Sequence, residues 1–451
     1  MRSRAVSHYA IQIQCTRAAD PVSSWHNRAA AKQTTISREG GRGPDAAASM
    51  ESTEGPTKRQ QVASASASPY IPDDLVRRIL LRLPSRSVLR FRAVCKAWLQ
   101  LASDPVFALE HHALQPALPL VSSLRGGARS RNPLADPDPD PVDCRVEAFD
   151  LRAGEFRPAA VRFPDDSGRQ FRIHGSCDGL LLLSSADRFF VCNPATHQWT
   201  RLPSPLRSSW LAGFYRHGPT GEYRALFFRG NWAGWPRTNY YILVPDSRKG
   251  GGIGLPAEKA AGYRFRGSPL GPPALAHGRL HWMPRRKKQG HKIMVFDTAT
   301  EVVTVMDPPL IREHMWLLEV GGELAMASCC GRRVVATVEL WLLQDYANGI
   351  WACRHSVRLP AVEVSSFPFD ESWRVFFMSE GGVVVVTPEQ KLLHYGMDGA
   401  LLGSFPCNGV RNLKITPYTL KESLVRHAFF ETHENAGDRD DELPLPFFKG
   451  L

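Results

Sequence analysis

Beyond residue 142 of this 451-residue chain, one small pattern recurs about every fifty residues. A polar turn residue follows an apolar run, and six residues later a large apolar residue starts the next run: Asp150 with Phe156, Asn193 with Trp199, Asp297 with Val303, Asp345 with Trp351. Two weaker copies fit, Asp246 after Tyr240-Tyr241-Ile242-Leu243 and Tyr395 before Leu401. The six anchors are 43, 53, 51, 48 and 50 residues apart. A fixed period of this length means one supersecondary unit repeated, each copy burying its apolar face against the next. Glycine opens apolar runs at Gly179-Leu180, Gly278-Arg279-Leu280, Gly322-Glu323-Leu324 and Gly382-Val383, and Leu202-Pro203, Pro308-Pro309 and Leu359-Pro360 close units. β-Branched and aromatic residues fill the runs, and helical periodicity is largely absent. The pattern predicts a six-bladed β-propeller over residues 142–430. It is weakest at 205–270, where Trp232, Trp235 and a Gly-rich run blur it.

The propeller expectation ends in a short helix: Thr419-Leu420-Lys421-Glu422 has the spacing of a capping box, predicting a helix from there to about Phe430. Upstream, residues 70–112 carry a different period. Pro72 suits the first turn of a helix, Asp73 and Asp74 favour its positive end, and Pro84 stops it. After the break, Val88, Leu89, Phe91, Val94, Cys95, Trp98 and Leu101 recur mostly three or four apart, as on a helical face. Two or three short helices follow. About forty residues bury too little surface to be comfortably stable alone, so part of this apolar area is expected to meet another chain. Residues 1–69, ending in Ala63-Ser64-Ala65-Ser66-Ala67-Ser68-Pro69, read as a disordered arm, residues 113–141 as a linker containing Asp136-Pro137-Asp138-Pro139-Asp140-Pro141, and residues 431–451 as a flexible tail.

Ile71-Pro72-Asp73-Asp74-Leu75, Ile79-Leu80, Leu83-Pro84, Val94-Cys95-Lys96-Ala97-Trp98 and Asp104-Pro105 resemble, in order and spacing, an F-box. That resemblance implies docking onto the Skp-type adaptor of a cullin ubiquitin ligase. Pro72, Leu75, Ile79, Leu80, Leu83, Leu89, Val94, Cys95 and Trp98 would then make adaptor contact or support it. The fifty-residue units resemble kelch-like blades, and Gly175-Ser176-Cys177-Asp178-Gly179-Leu180-Leu181-Leu182, Asn193-Pro194-Ala195-Thr196 and Trp199-Thr200-Arg201-Leu202-Pro203 resemble the F-box-associated domain of plant F-box proteins.

Other function classes find little support. A formal charge of +12 raises nucleic acid as a partner, yet the excess is spread thinly, and Arg285-Arg286-Lys287-Lys288 is the one compact run. No apolar run approaches the length of a membrane helix. Nine cysteines without regular spacing fit a reducing compartment, cytosol or nucleus. Gly175-Ser176-Cys177-Asp178-Gly179 formally fits a nucleophile elbow, but an apolar strand follows where a helix is needed. Neither a cofactor nor a metal is expected, since no paired C-x-x-C spacing occurs. The resemblance implies a non-catalytic function: a substrate-recognition subunit whose F-box docks the adaptor and whose propeller binds a protein target. Trp232 and Trp235, in the stretch that departs most from the blade pattern, are the expected target-binding residues. A carbohydrate- or ligand-binding propeller with little role in degradation is the alternative, and adaptor co-purification separates the two.

Overall fold

The computed structural model describes residues 71–125, 143–157, 160–164, 171–185, 188–203, 209–229, 239–245, 253–254, 272–283, 292–311, 314–332, 335–360, 375–378, 382–386 and 390–431. The expectations for residues 1–69, 136–141, 232, 235, 246, 250–252, 285–288 and 432–451 lie outside them. The chain divides into two compact units, Met1–Ile79 and Leu80–Leu451. Four short helices come first: α1 (Asp73–Leu80), α2 (Ser85–Phe91), α3 (Lys96–Ser103) and α4 (Pro105–Leu114).

Twenty-five strands among the described residues then build six antiparallel sheets. The first contains β1 (Ala117–Arg125), β2 (Asp143–Asp150), β3 (Glu155–Phe156) and β4 (Val161–Pro164). The second is β5 (Phe171–Cys177), β6 (Leu180–Ser185), β7 (Arg188–Asn193) and β8 (Gln198–Arg201), and the third β9 (Ser209–Arg216), β10 (Tyr223–Arg229), β11 (Asn239–Leu243) and β12 (Ile253–Gly254). The fourth is β13 (Ala274–Ala276), β14 (Arg279–Trp282), β15 (Ile293–Asp297) and β16 (Val303–Met306). The fifth is β17 (His314–Val320), β18 (Glu323–Arg332), β19 (Val335–Asp345) and β20 (Ile350–Pro360), and the sixth β21 (Val375–Met378), β22 (Gly382–Val386), β23 (Lys391–Tyr395) and β24 (Leu401–Pro406). The last strand, β25 (Val410–Lys421), returns to the first sheet and pairs with β1 from Ala117↔Lys421 to Arg125↔Val410.

The repeat is explained by the turn between the third and fourth strands. Asp150 Oδ1 accepts the amides of Arg152 and Ala153, Asn193 Oδ1 that of Ala195, Asp297 Oδ1 those of Ala299 and Thr300, and Asp345 Oδ1 that of Asn348. A short polar side chain that bonds its own backbone two or three residues on is what such a turn selects. In the sixth sheet Asp398 takes this role by accepting the Ala400 amide, so Tyr395 marks the position without doing the work.

Alternation within the strands distributes the core. Leu181 and Leu183 face the first sheet, whereas Leu180 and Leu182 face the third. Equivalent clusters join the third to the fourth sheet, the fourth to the fifth, the fifth to the sixth and the sixth to the first, so the ring is closed. A strand sandwiched between two neighbours is apolar on both faces, as Leu180–Leu183 of β6 and Val383–Val386 of β22 are, and both strands are buried throughout. First strands of several successive sheets lie side by side, β25 with β5, β5 with β9, β13 with β17 and β21 with β25.

Two expectations are corrected here. Residues 117–125 belong to a strand with partners on both sides, not to a linker, and so the first sheet begins before residue 142. The capping-box residues Thr419, Leu420 and Lys421 are in β25, opposite Pro119, Leu118 and Ala117. The ladder that closes the ring holds their backbone extended, which excludes the conformation a helical turn needs. The helix that does form, α5 (Ala428–Glu431), is one turn long.

Candidate adaptor interface and propeller scaffold

In the first unit, Pro72 O accepts the amides of Leu75 and Val76 at 3.0 and 3.1 Å, and Asp73 and Asp74 occupy the first turn of α1. Val76 is buried, whereas Leu75 and Ile79 are 44% and 52% exposed. Both of these aliphatic side chains therefore stand about half in water on one short helix.

In the second unit, α2–α4 form their own small core from Val88, Trp98, Ala102, Phe107, Ala108 and His111. Trp98 meets the edge of Phe91 at 5.3 Å, and Arg92 Nη2 donates to Ala102 O at 2.7 Å. The Asp104-Pro105 pair is a helix start: Asp104 carboxylate oxygens accept the amides of Val106 and Phe107, and Pro105 takes the first helical position. His111 is fully buried, with Nε2 2.8 Å from Leu83 O; burial pulls its pKa below the ordinary value, opposed by that carbonyl and by Glu422.

The nine expected adaptor residues separate by exposure. Pro72, Leu75, Ile79 and Val94 are exposed, Leu83, Leu89 and Cys95 are half-buried, and Leu80 and Trp98 are buried. Trp98, which the resemblance offered as either contact or support, is packed inside the helices, its ring lying edge-on to Phe91 where α2 and α3 approach. Outside those nine, Leu99, Val106 and Leu109 are also exposed, a pattern that sequence reasoning did not single out. The helical spacing of α4 carried that signal: Phe107, Ala108 and His111 turn inward, leaving Val106 and Leu109 on the other side.

In the propeller, Gly175-Ser176-Cys177-Asp178-Gly179 is a strand end and a two-residue turn, with Asp178 and Gly179 both at positive φ, 50° and 83°. Such a turn matches the twist of a hairpin. The motif packs on the closing strand: Ser176 Oγ donates to Thr419 O at 2.6 Å, and Tyr418 OH donates to His174 O at 2.7 Å. Burial pushes the Cys177 thiol far above its usual pKa, with Asp178 adding to the effect. The motif is followed by strand β6 rather than by the helix that a nucleophile elbow needs. Other buried polar groups tie blades together. Arg224 Nη1 donates to Glu301 Oε1 at 2.6 Å and Tyr215 OH donates to the same oxygen at 2.9 Å, joining the third sheet to the fourth. Among the described residues no cluster of His, Cys, Asp and Glu is arranged to hold a metal, and no helix is long and apolar enough to cross a membrane.

Trp232 and Trp235 lie outside the described residues. Of their aromatic neighbours in sequence, Tyr240 and Tyr241 are buried, Tyr240 OH donating to Met294 Sδ at 3.8 Å and Tyr241 stacking on Phe227 at 5.4 Å. Trp210 is half-buried against Phe228. These rings are blade packing.

Comparison with known proteins agrees with this architecture. The F-box domain family matches residues 70–109, and the F-box associated beta propeller domain family matches residues 154–412, more than half of the chain. An F-box/kelch-repeat protein of Arabidopsis thaliana is 22% identical over 82% of this chain and 87% of its own length. A second Arabidopsis thaliana F-box protein is 22% identical over 73% of this chain and 82% of its own, and a third is 34% identical over 31% of this chain and 47% of its own. A short helical segment with exposed aliphatic side chains, followed by a closed ring of six sheets, is thus the architecture of a known family, and the chain belongs to the F-box proteins that carry an F-box associated β-propeller domain.

Proposed function

We propose that this chain is the substrate-recognition subunit of a Skp–cullin–F-box ubiquitin ligase, acting in the cytosol or nucleus. The observation that carries the reading is the exposure of Leu75, Ile79 and Val94 in the segment that matches the F-box family. A Skp-type adaptor covers these side chains and links the chain to the cullin, while the propeller holds a protein target. The chain does no covalent chemistry. A target lysine amine attacks the thioester that another subunit carries, an isopeptide bond forms and the thiol leaves; this subunit supplies proximity.

Leu75→Ala combined with Ile79→Ala tests the reading, because both side chains are exposed and their removal leaves the helical core in place. The expected loss is about 1–2 kcal/mol for each, together roughly a hundred-fold in affinity for a purified Skp-type adaptor. Titration calorimetry on the folded variant measures it. Affinity equal to that of the unaltered chain would overturn the assignment. Trp98→Ala is the wrong probe, since it opens a cavity beneath α2 and α3.

A further inference from the structure

The residues that follow β25, from Glu422 to Phe430, touch two helices and three sheets. Glu422 stands at their start. Its Oε2 accepts the backbone N–H of Ser85, the first residue of α2, at 2.7 Å. Its carbonyl oxygen lies 2.9 Å from His112 Nδ1 on α4, and its Oε1 lies 3.8 Å from Arg157, which pairs with Asp150 of the first sheet at 2.8 Å. Ser423 comes next, fully buried, its carbonyl accepting Asn193 Nδ2 from the second sheet at 3.0 Å. Further on, His427 and Phe429 pack edge-on against Tyr223 of the third sheet at 5.2 and 6.1 Å, and Phe429 and Phe430 enter the core between the second and third sheets.

Helix α2 begins at Pro84 with no side-chain cap of its own. A helix start leaves backbone N–H groups without partners, and a carboxylate there also meets the positive end of the helix. The carboxylate that does this for α2 comes from 337 residues away in sequence. We infer that Glu422 is a positioning residue for ubiquitin transfer: by capping α2 from the end of the closing strand, it fixes the angle between helices α2–α4 and the propeller. This rests on the function proposed above, in which the helices meet the adaptor and the propeller carries the target. Proximity has value only while the angle is held, since a loosened joint spreads the target lysines over a larger volume without touching the adaptor contacts.

Three full-length variants decide the matter. Glu422→Ala removes the acceptor. Glu422→Gln keeps a neutral acceptor. Ser85→Pro removes the donor from the other side, and it is tolerated because Pro84 has ψ 148° as a residue before proline requires. The first readout is the distance distribution between spin labels on exposed Gln100 of α3 and exposed Arg354 of the fifth sheet, introduced as unnatural amino acids. The second is the initial rate of ubiquitin attachment to the chain's own lysines in a reconstituted ligase. Glu422→Ala and Ser85→Pro are expected to broaden the distribution and slow attachment roughly five-fold, with adaptor affinity within about two-fold of the unaltered chain, and their effects should not add. Glu422→Gln should restore most of both. An unchanged distribution in Glu422→Ala or in Ser85→Pro would overturn the inference, as would additive effects. The distance measurement needs no adaptor, so failure of the chain to bind one counts against the proposed function alone.

Discussion

Gly179→Ala is expected to lower the unfolding free energy by about 3 kcal/mol or more, a loss read from urea denaturation. Two costs combine at this position. Its φ of +83° is one that L side chains rarely adopt, worth about 1 kcal/mol. An added β-carbon would also sit 2.4 Å from Ser423 Cβ and 2.8 Å from Lys421 O. Neither neighbour retreats cheaply. Lys421 pairs with Ala117 at the end of the closing ladder, and Ser423 O holds the Asn193 amide. Gly322→Ala is the control, at φ +93° with nothing within 4 Å of the new carbon, and it is expected to cost about 1 kcal/mol. Equal losses in the two variants would mean that close approach to the closing strand is not what Gly179 provides.

Acidification from pH 7.5 to 5 is expected to cost about 4 kcal/mol of stability through three histidines. Burial, the largest influence on each, holds His174, His281 and His427 at a pKa of about 4. His281 shows why the neutral ring is preferred. It is fully buried, with Nδ1 3.3 Å from Ala274 O and Nε2 2.7 Å from Tyr346 OH, so one nitrogen donates and the other accepts. A pKa lower in the folded chain than in the unfolded one means that the unfolded chain binds more protons. Stability is therefore whole above about pH 6.5 and drains away as pH falls toward 4. At pH 5 a fully buried histidine such as His281 costs about 2 kcal/mol, and His174 and His427, partly open to water, cost less. Urea denaturation at the two pH values measures the sum. A His174→Gln, His281→Gln, His427→Gln chain should lose most of that slope, whatever its absolute stability, and an unchanged slope would show that other groups carry it.

The positions of the turns were legible in the sequence because their cause is local. Asp150, Asn193, Asp297 and Asp345 bond amides two or three residues on, so the polar residue and the apolar one six later recur wherever a third strand turns into a fourth. Continuous apolar runs such as Leu180–Leu183 were legible for a related reason, since a sheet between two others must be apolar on both faces. The helix starts at Pro72-Asp73-Asp74 and Asp104-Pro105 follow the same logic, each fixed by backbone donors within one turn.

What only the tertiary structure decided involves partners far away in the chain. Thr419-Leu420-Lys421-Glu422 has the letters of a helix start, yet these residues lie beside β1, and a ladder partner three hundred residues upstream outweighs a local cap. The same pairing turned an apparent linker into the second strand of the first sheet. Trp98 and Leu75 look alike in a hydrophobic pattern, and only packing separated the buried one from the exposed one. Glu422 carried no signal as the cap of α2, because a carboxylate and the amide it satisfies need share nothing in sequence once folding has brought them within 2.7 Å. Sequence alone determined the period, the turns and the family of this protein. Ring closure, the burial of each apolar side chain and the joint between helices α2–α4 and propeller were decided by contacts that exist only after the chain has folded.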